Sequence, residues 1–150
     1  MAYLPNSGKG TPDANLEFCT AQAIPVNGAD DISENVVDLI DAAPDLRGTN
    51  LNLKVQITTA IDVASGESST MNFNIVTGST AALCTVAATE IAKAVLTLGH
   101  DNAKGKVYTG AIPQKPVNAY ERFIGLVLEP VSDDTLYSAG AVDAWIEPGQ

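Results

Sequence analysis

From Leu51 to Thr58 the chain alternates apolar and polar positions without a break. Leu51, Leu53, Val55 and Ile57 stand against Asn52, Lys54, Gln56 and Thr58. A period of two puts every second side chain on one face of a strand, so the segment predicts a strand with one face buried. The pattern returns at 71–75, where Met71, Phe73 and Ile75 enclose Asn72 and Asn74. The polar, Gly-containing link from Ala64 to Ser69 predicts that these two strands pair as an antiparallel hairpin.

Other segments follow from the same criterion. Residues 16–25 predict a first strand, ended by turn residues at Asn27-Gly28 and Asp30-Asp31, and 35–39 a short second one. Residues 80–98 are readable in two ways. Leu83, Ala87, Ile91, Ala94 and Leu98 have helical spacing, but Thr85, Val86, Thr89, Ile91, Val95 and Thr97 are β-branched and disfavour a helix. The balance lies with irregular chain leading into a strand near 90–97. Residues 106–112 predict a strand closed by Pro113. Arg122 to Leu128 is a nearly continuous apolar run, which predicts a central strand buried on both faces. Residues 139–146 predict the last strand, with Val142, Ala144 and Ile146 inward. Seven or eight such strands predict an all-β fold, an antiparallel β-sandwich. Residues 1–15, with Pro5, Gly8, Gly10 and Pro12, predict a flexible N-terminal arm, leaving 16–150 as the single sandwich domain.

Composition changes this picture mainly through charge. The chain of 150 residues carries 18 acids against 8 bases, a formal charge of −10. A field of that sign repels phosphate backbones and argues against nucleic acid as a partner. The most apolar stretch, 79–98, is interrupted by Glu90 and Lys93, whereas a spanning helix needs about 20 predominantly apolar residues. No membrane association is expected, and the lack of an apolar leader core at the N-terminus predicts folding in the cytoplasm.

Candidate chemistry is sparse. One histidine, His100, and two cysteines, Cys19 and Cys84, provide no zinc-ligand spacing, and no metal or cofactor is expected. Gly8-Lys9-Gly10-Thr11 lacks the spacing of a phosphate loop. His100 has no flagged nucleophile to activate, and the acid pairs Asp30-Asp31 and Asp133-Asp134 lack a calcium loop's alternating carboxylates. No catalytic residue is assigned and the chain is not expected to be an enzyme. Trp145 is different. Alternation puts it on the outward face between Asp143 and Glu147, where it is either covered by a loop of its own domain or an interface anchor. Tyr3, Leu4 and Pro5 are apolar groups on an otherwise polar arm and form a second candidate contact that orders on docking.

The order of segments resembles the cement, or decoration, proteins of short-tailed bacteriophage heads, of the Bordetella-phage type. The likeness is carried by Arg122-Phe123-Ile124-Gly125-Leu126, a polar hairpin, and Ala139-Gly140-Ala141-Val142-Asp143-Ala144-Trp145-Ile146. Leu16-Glu17-Phe18-Cys19-Thr20-Ala21-Gln22-Ala23, Val36-Val37-Asp38-Leu39 and the alternating strand at 51–58 extend it over residues 16–147. The arm is longer than in that family, and 79–98 looks more helical. The resemblance implies a jelly-roll sandwich on the outer surface of the virion head, made in the host cytoplasm. It would clamp neighbouring copies of the major capsid protein and associate with itself, as a homodimer first and a trimer next. A carbohydrate- or receptor-binding β-sandwich is the alternative reading, thinly supported by scattered aromatics.

Overall fold

The computed structural model describes residues 4–6, 9–11, 16–25, 29–39, 51–63, 69–98, 103–112, 121–131 and 137–148. Within the stretch read as an arm, β1 (Leu4–Asn6) and β2 (Lys9–Thr11) pair antiparallel and join neither main sheet among the described residues.

The remaining strands are β3 (Glu17–Ala23), β4 (Asp31–Ile32), β5 (Val37–Asp38), β6 (Leu51–Val63), β7 (Ser69–Gly78), β8 (Thr89–Leu98), β9 (Val107–Ile112), β10 (Phe123–Pro130) and β11 (Tyr137–Pro148). They form two antiparallel sheets. One has the order β4-β10-β7-β8, with β5 also on β10, and the other β3-β11-β6-β9. Counted from β3, with β4 and β5 as one strand, the orders become 2-7-4-5 and 1-8-3-6 respectively. That interleaving of two Greek keys is the jelly roll.

The expected strands at 51–58 and 71–75 both form, and both are longer than the pattern that announced them. Their expected pairing does not. β6 lies between β11 and β9, whereas β7 lies between β10 and β8 in the opposite sheet. A short polar link fits a hairpin and a crossing equally well. Sheets stack roughly 10 Å apart, and a five-residue extended segment reaches about 17 Å. Of the connections after β3, only β4–β5 and β7–β8 stay within one sheet.

The core fills the space between the sheets. Leu53, Val55, Ile57 and Ile61 of β6 and Val142, Ala144 and Ile146 of β11 face Met71, Phe73 and Ile75 of β7 and Ile124, Leu126 and Leu128 of β10. β10 is internal and buried along residues 124–128, as its apolar run requires. Its outer side is covered as well. Residues 79–88, with a 3-10 turn at Ala81–Leu83, fold back so that Cys84 lies over Gly125. A Cβ placed on Gly125 would stand 3.2 Å from Cys84 Cβ and 3.4 Å from Ile32 Cδ1, so only glycine leaves this room. The ambiguous stretch thus divides into an irregular loop and a strand, β8.

Polar groups stitch one end of the sandwich. Buried Gln22 on β3 donates from Nε2 to Ile32 O (2.9 Å) and accepts from Glu34 N (3.0 Å). The Leu126 amide donates to Ser33 Oγ at 3.0 Å. Arg122 grips Asp38 with Nε to Oδ1 at 3.1 Å and Nη2 to Oδ2 at 2.7 Å, tying β10 to β5 across the sequence.

Candidate interaction surfaces

On the four-stranded sheet, Trp145 stands opposite Lys54 of β6 and Glu17 of β3, and Lys54 stands opposite Thr109 of β9. The row faces away from the core, and Trp145 is absent from the core cluster, as alternation from Ala144 and Ile146 requires. The indole is nevertheless only 9% exposed, and its Nε1–H is buried with no hydrogen-bond partner among the described residues. Lys54 Nζ donates to Thr109 Oγ1 at 2.9 Å and lies 3.4 Å from Glu147 Oε2. Trp145 therefore presents little area of its own to a partner, and a ladder of polar side chains dominates the face.

The five-stranded sheet has a different outside. Asn72 and Asn74, which alternation assigned to solvent, are buried, and both donate from Nδ2 to Glu129 Oε2, at 2.8 and 2.9 Å. Lys93 Nζ lies 3.7 Å from the same oxygen and 3.9 Å from Glu90 Oε2. The two amide donors, then Lys93, hold the Glu129 carboxyl below the usual carboxylate range. Nothing in the sequence marks this cluster. It arises because Glu129 and Asn72 are register partners on neighbouring strands.

Beside it rises the β7–β8 loop. From Ile75 to Thr89 the sequence holds no charged residue. Cys84 points down onto Gly125, and Leu83 and Val86 point out, 56% and 48% exposed. An uncharged surface loop with two exposed large aliphatic side chains stands apart on a chain of charge −10. Composition alone does not reveal this exposure, because an apolar, Ala-rich loop has the same composition whether buried or exposed.

The cysteines are free thiols on opposite faces of the five-stranded sheet, Cys19 in the core and Cys84 outside it. Burial pushes the Cys19 thiol up to about 12 and raises that of Cys84. A thiol protonated at neutral pH is a poor nucleophile. Among the described residues no group of three or more His, Cys, Asp or Glu side chains could hold a metal ion, and no helix is long and apolar enough to cross a membrane. Tyr3, His100 and the pair Asp133-Asp134 lie outside the described residues; Leu4 and Pro5 lie in β1, which pairs with β2 and not with the sheet that holds Trp145.

The chain matches no known protein-family profile, and no curated protein is significantly similar to it.

Proposed function

We propose that the chain is a structural virion protein that binds the outer surface of a bacteriophage head and stabilises it by clamping neighbouring major capsid proteins. The observation that carries the binding role is the uncharged β7–β8 loop with Leu83 and Val86 exposed on it. Apolar side chains that lose their water on contact form the core of a protein interface, inside a polar rim. The Glu129–Lys93 cluster on the same sheet serves as such a rim. The capsid as partner rests on the resemblance of residues 16–147 to head decoration proteins. The lectin-like alternative is weaker, because stacking a sugar needs open aromatic faces. Phe18 and Phe73 are in the core, Trp145 is covered, and Arg122 lies 4.9 Å over the Phe123 ring.

The test is a sedimentation titration against heads assembled from the capsid protein encoded alongside this chain. The double change Leu83→Asp and Val86→Asp is expected to leave the fold intact and weaken binding at least tenfold, about 1.4 kcal/mol. Equal binding by the wild type and this variant removes the loop from the interface. No binding by either removes the capsid reading.

A further inference from the structure

Glu129 reaches from β10 across β7 as far as β8. Asn74 of β7 and Lys93 of β8 are register partners, so their side chains leave the sheet on one face. A single oxygen meets both. Glu129 Oε2 accepts from Asn74 Nδ2 at 2.9 Å and lies 3.7 Å from Lys93 Nζ. Asn72 Nδ2 donates to the same oxygen at 2.8 Å, and Glu90 Oε2 lies 3.9 Å from Nζ. Asn74 is only 7% exposed, and its Oδ1 is buried with no hydrogen-bond partner among the described residues. A surface ion pair needs neither the buried carboxamide nor its bare carbonyl.

Together these groups are the reagents of an amide exchange. Asn74 Cγ is an acyl carbon and Lys93 Nζ an amine, and Glu129 is a carboxylate placed to carry protons between the two nitrogens. The carboxylate form, favoured by the two amide donors, is the one that can accept a proton from an ammonium. Directly opposed residues on antiparallel strands have Cβ atoms about 5 Å apart, so the lysine chain reaches the carboxamide by folding back over β7. Holding amine and amide in one place removes the need for an encounter, and the burial of Asn74 keeps water from competing for the same carbon.

We propose that Lys93 and Asn74 become joined within one chain by an isopeptide bond, with Glu129 moving the protons. Glu129 Oε2 takes a proton from the Lys93 ammonium, and the electron pair freed on Nζ attacks Asn74 Cγ. Glu129 then hands that proton to Nδ2 and takes a second from Nζ, as the Cγ–Nδ2 bond breaks and its electron pair leaves on ammonia. The second proton follows the ammonia, which departs as ammonium, and Glu129 is a carboxylate again. One bond forms, Nζ–Cγ, and one breaks, Cγ–Nδ2. Nothing is oxidised or reduced, and no other reactant enters. Asn72 positions the carboxylate through its own bond to Oε2. The product ties β8, the last strand of its sheet among the described residues, to β7 by a covalent link between side chains.

The bond forms in the chain alone and does not depend on the capsid reading. The experiment is mass spectrometry of the full chain, denatured after incubation at neutral pH until its mass stops changing. The wild type is expected to weigh less than its sequence by one ammonia molecule. Lys93→Arg and Glu129→Gln, both at partly exposed side chains, are expected to fold, as circular dichroism will show, and to keep the full sequence mass. Trypsin supplies the position. It cuts after Lys54, Lys93 and Lys104 in an unlinked chain, whereas an amidated Lys93 is not cut, and one peptide of residues 55–104, short of one ammonia, replaces 55–93 and 94–104. A wild type that stays at full mass overturns the proposal. So does an ammonia loss that persists in Lys93→Arg, the mark of an asparagine closing on its own backbone, or a link mapped to an asparagine other than Asn74. A link that forms equally in Glu129→Gln removes Glu129 from the chemistry.

Discussion

On the outside of the five-stranded sheet, β10 lies under a loop of its own domain, with Cys84 seated on Gly125 and Val127 buried. On the outside of the four-stranded sheet, β11 and β6 are finished, among the described residues, by side chains alone, in the row Glu17, Trp145, Lys54, Thr109. The first face is thick, with a second apolar layer ending in exposed Leu83 and Val86. The second is thin, and a single buried indole interrupts its polar ladder. The sequence differs accordingly. β10 reads as a continuous apolar run because it is covered twice, and β6 alternates because it is covered once. An apolar run in a strand is thus a statement about how many layers lie over it.

The largest test of this contrast is to place a carboxylate at matched positions. Leu126→Asp and Val55→Asp both enter the shared core and are expected to abolish folding, at a cost of several kcal/mol each. Asn52→Asp, on the outward side of β6, is expected to shift the melting temperature little. Circular dichroism melts of all three check the prediction, and equal damage from Asn52→Asp would mean that β6 is covered on both faces.

The pairing of β6 with β7 was illegible for a reason these two strands make plain. Residues 51–58 and 71–75 each declare their own period, but period carries no information about which sheet a strand enters. The link at 64–69 fits a hairpin and a crossing equally. The loop at 79–88 was legible as irregular chain before a strand, but not in its orientation: Cys84 sits on Gly125, and Leu83 and Val86 face outward. Arg122 and Asp38, each noticed in its own segment, proved to be partners across 84 positions.

A smaller effect should separate the two outer faces. Gly125→Val is expected to push Cys84 and its loop off the sheet, costing about 1–3 kcal/mol as an overpacked site does. The accompanying signature is chemical, since Cys84 should then react with a thiol reagent while core Cys19 stays protected. A variant whose Cys84 remains inert would show that the loop is held by something other than that seat.

The smallest expected effect concerns Glu129. Its depressed ionisation means that the folded state favours the carboxylate, so its contribution is complete above the unfolded-state value of about 4.3 and fades as pH falls through the lower folded value. Glu129→Gln is expected to lower the melting temperature by a few degrees at neutral pH, and the gap from wild type should close under acid conditions. Because Glu129 is partly exposed, the loss is expected to be modest. A gap independent of pH between neutrality and about pH 3 would assign Glu129 a role other than its charge.

β11 has a consequence for how the chain comes together in time. It sits between β3 and β6, which have no direct pairing with each other, so the four-stranded sheet has no middle until β11 has been made. The Cys19 contact with Val142 O alone spans 123 positions. At about 5–20 residues per second, a ribosome leaves β3 without its neighbour for on the order of ten seconds. Within its sheet β6, with its alternating apolar face, has no partner until β9 is made and β9 alone until β11 follows. Folding should therefore be slow for the chain's length, in the millisecond-to-second range of non-local β topologies once synthesis is complete. Chaperone occupancy on nascent chains should end only when residues 137–148 clear the exit tunnel.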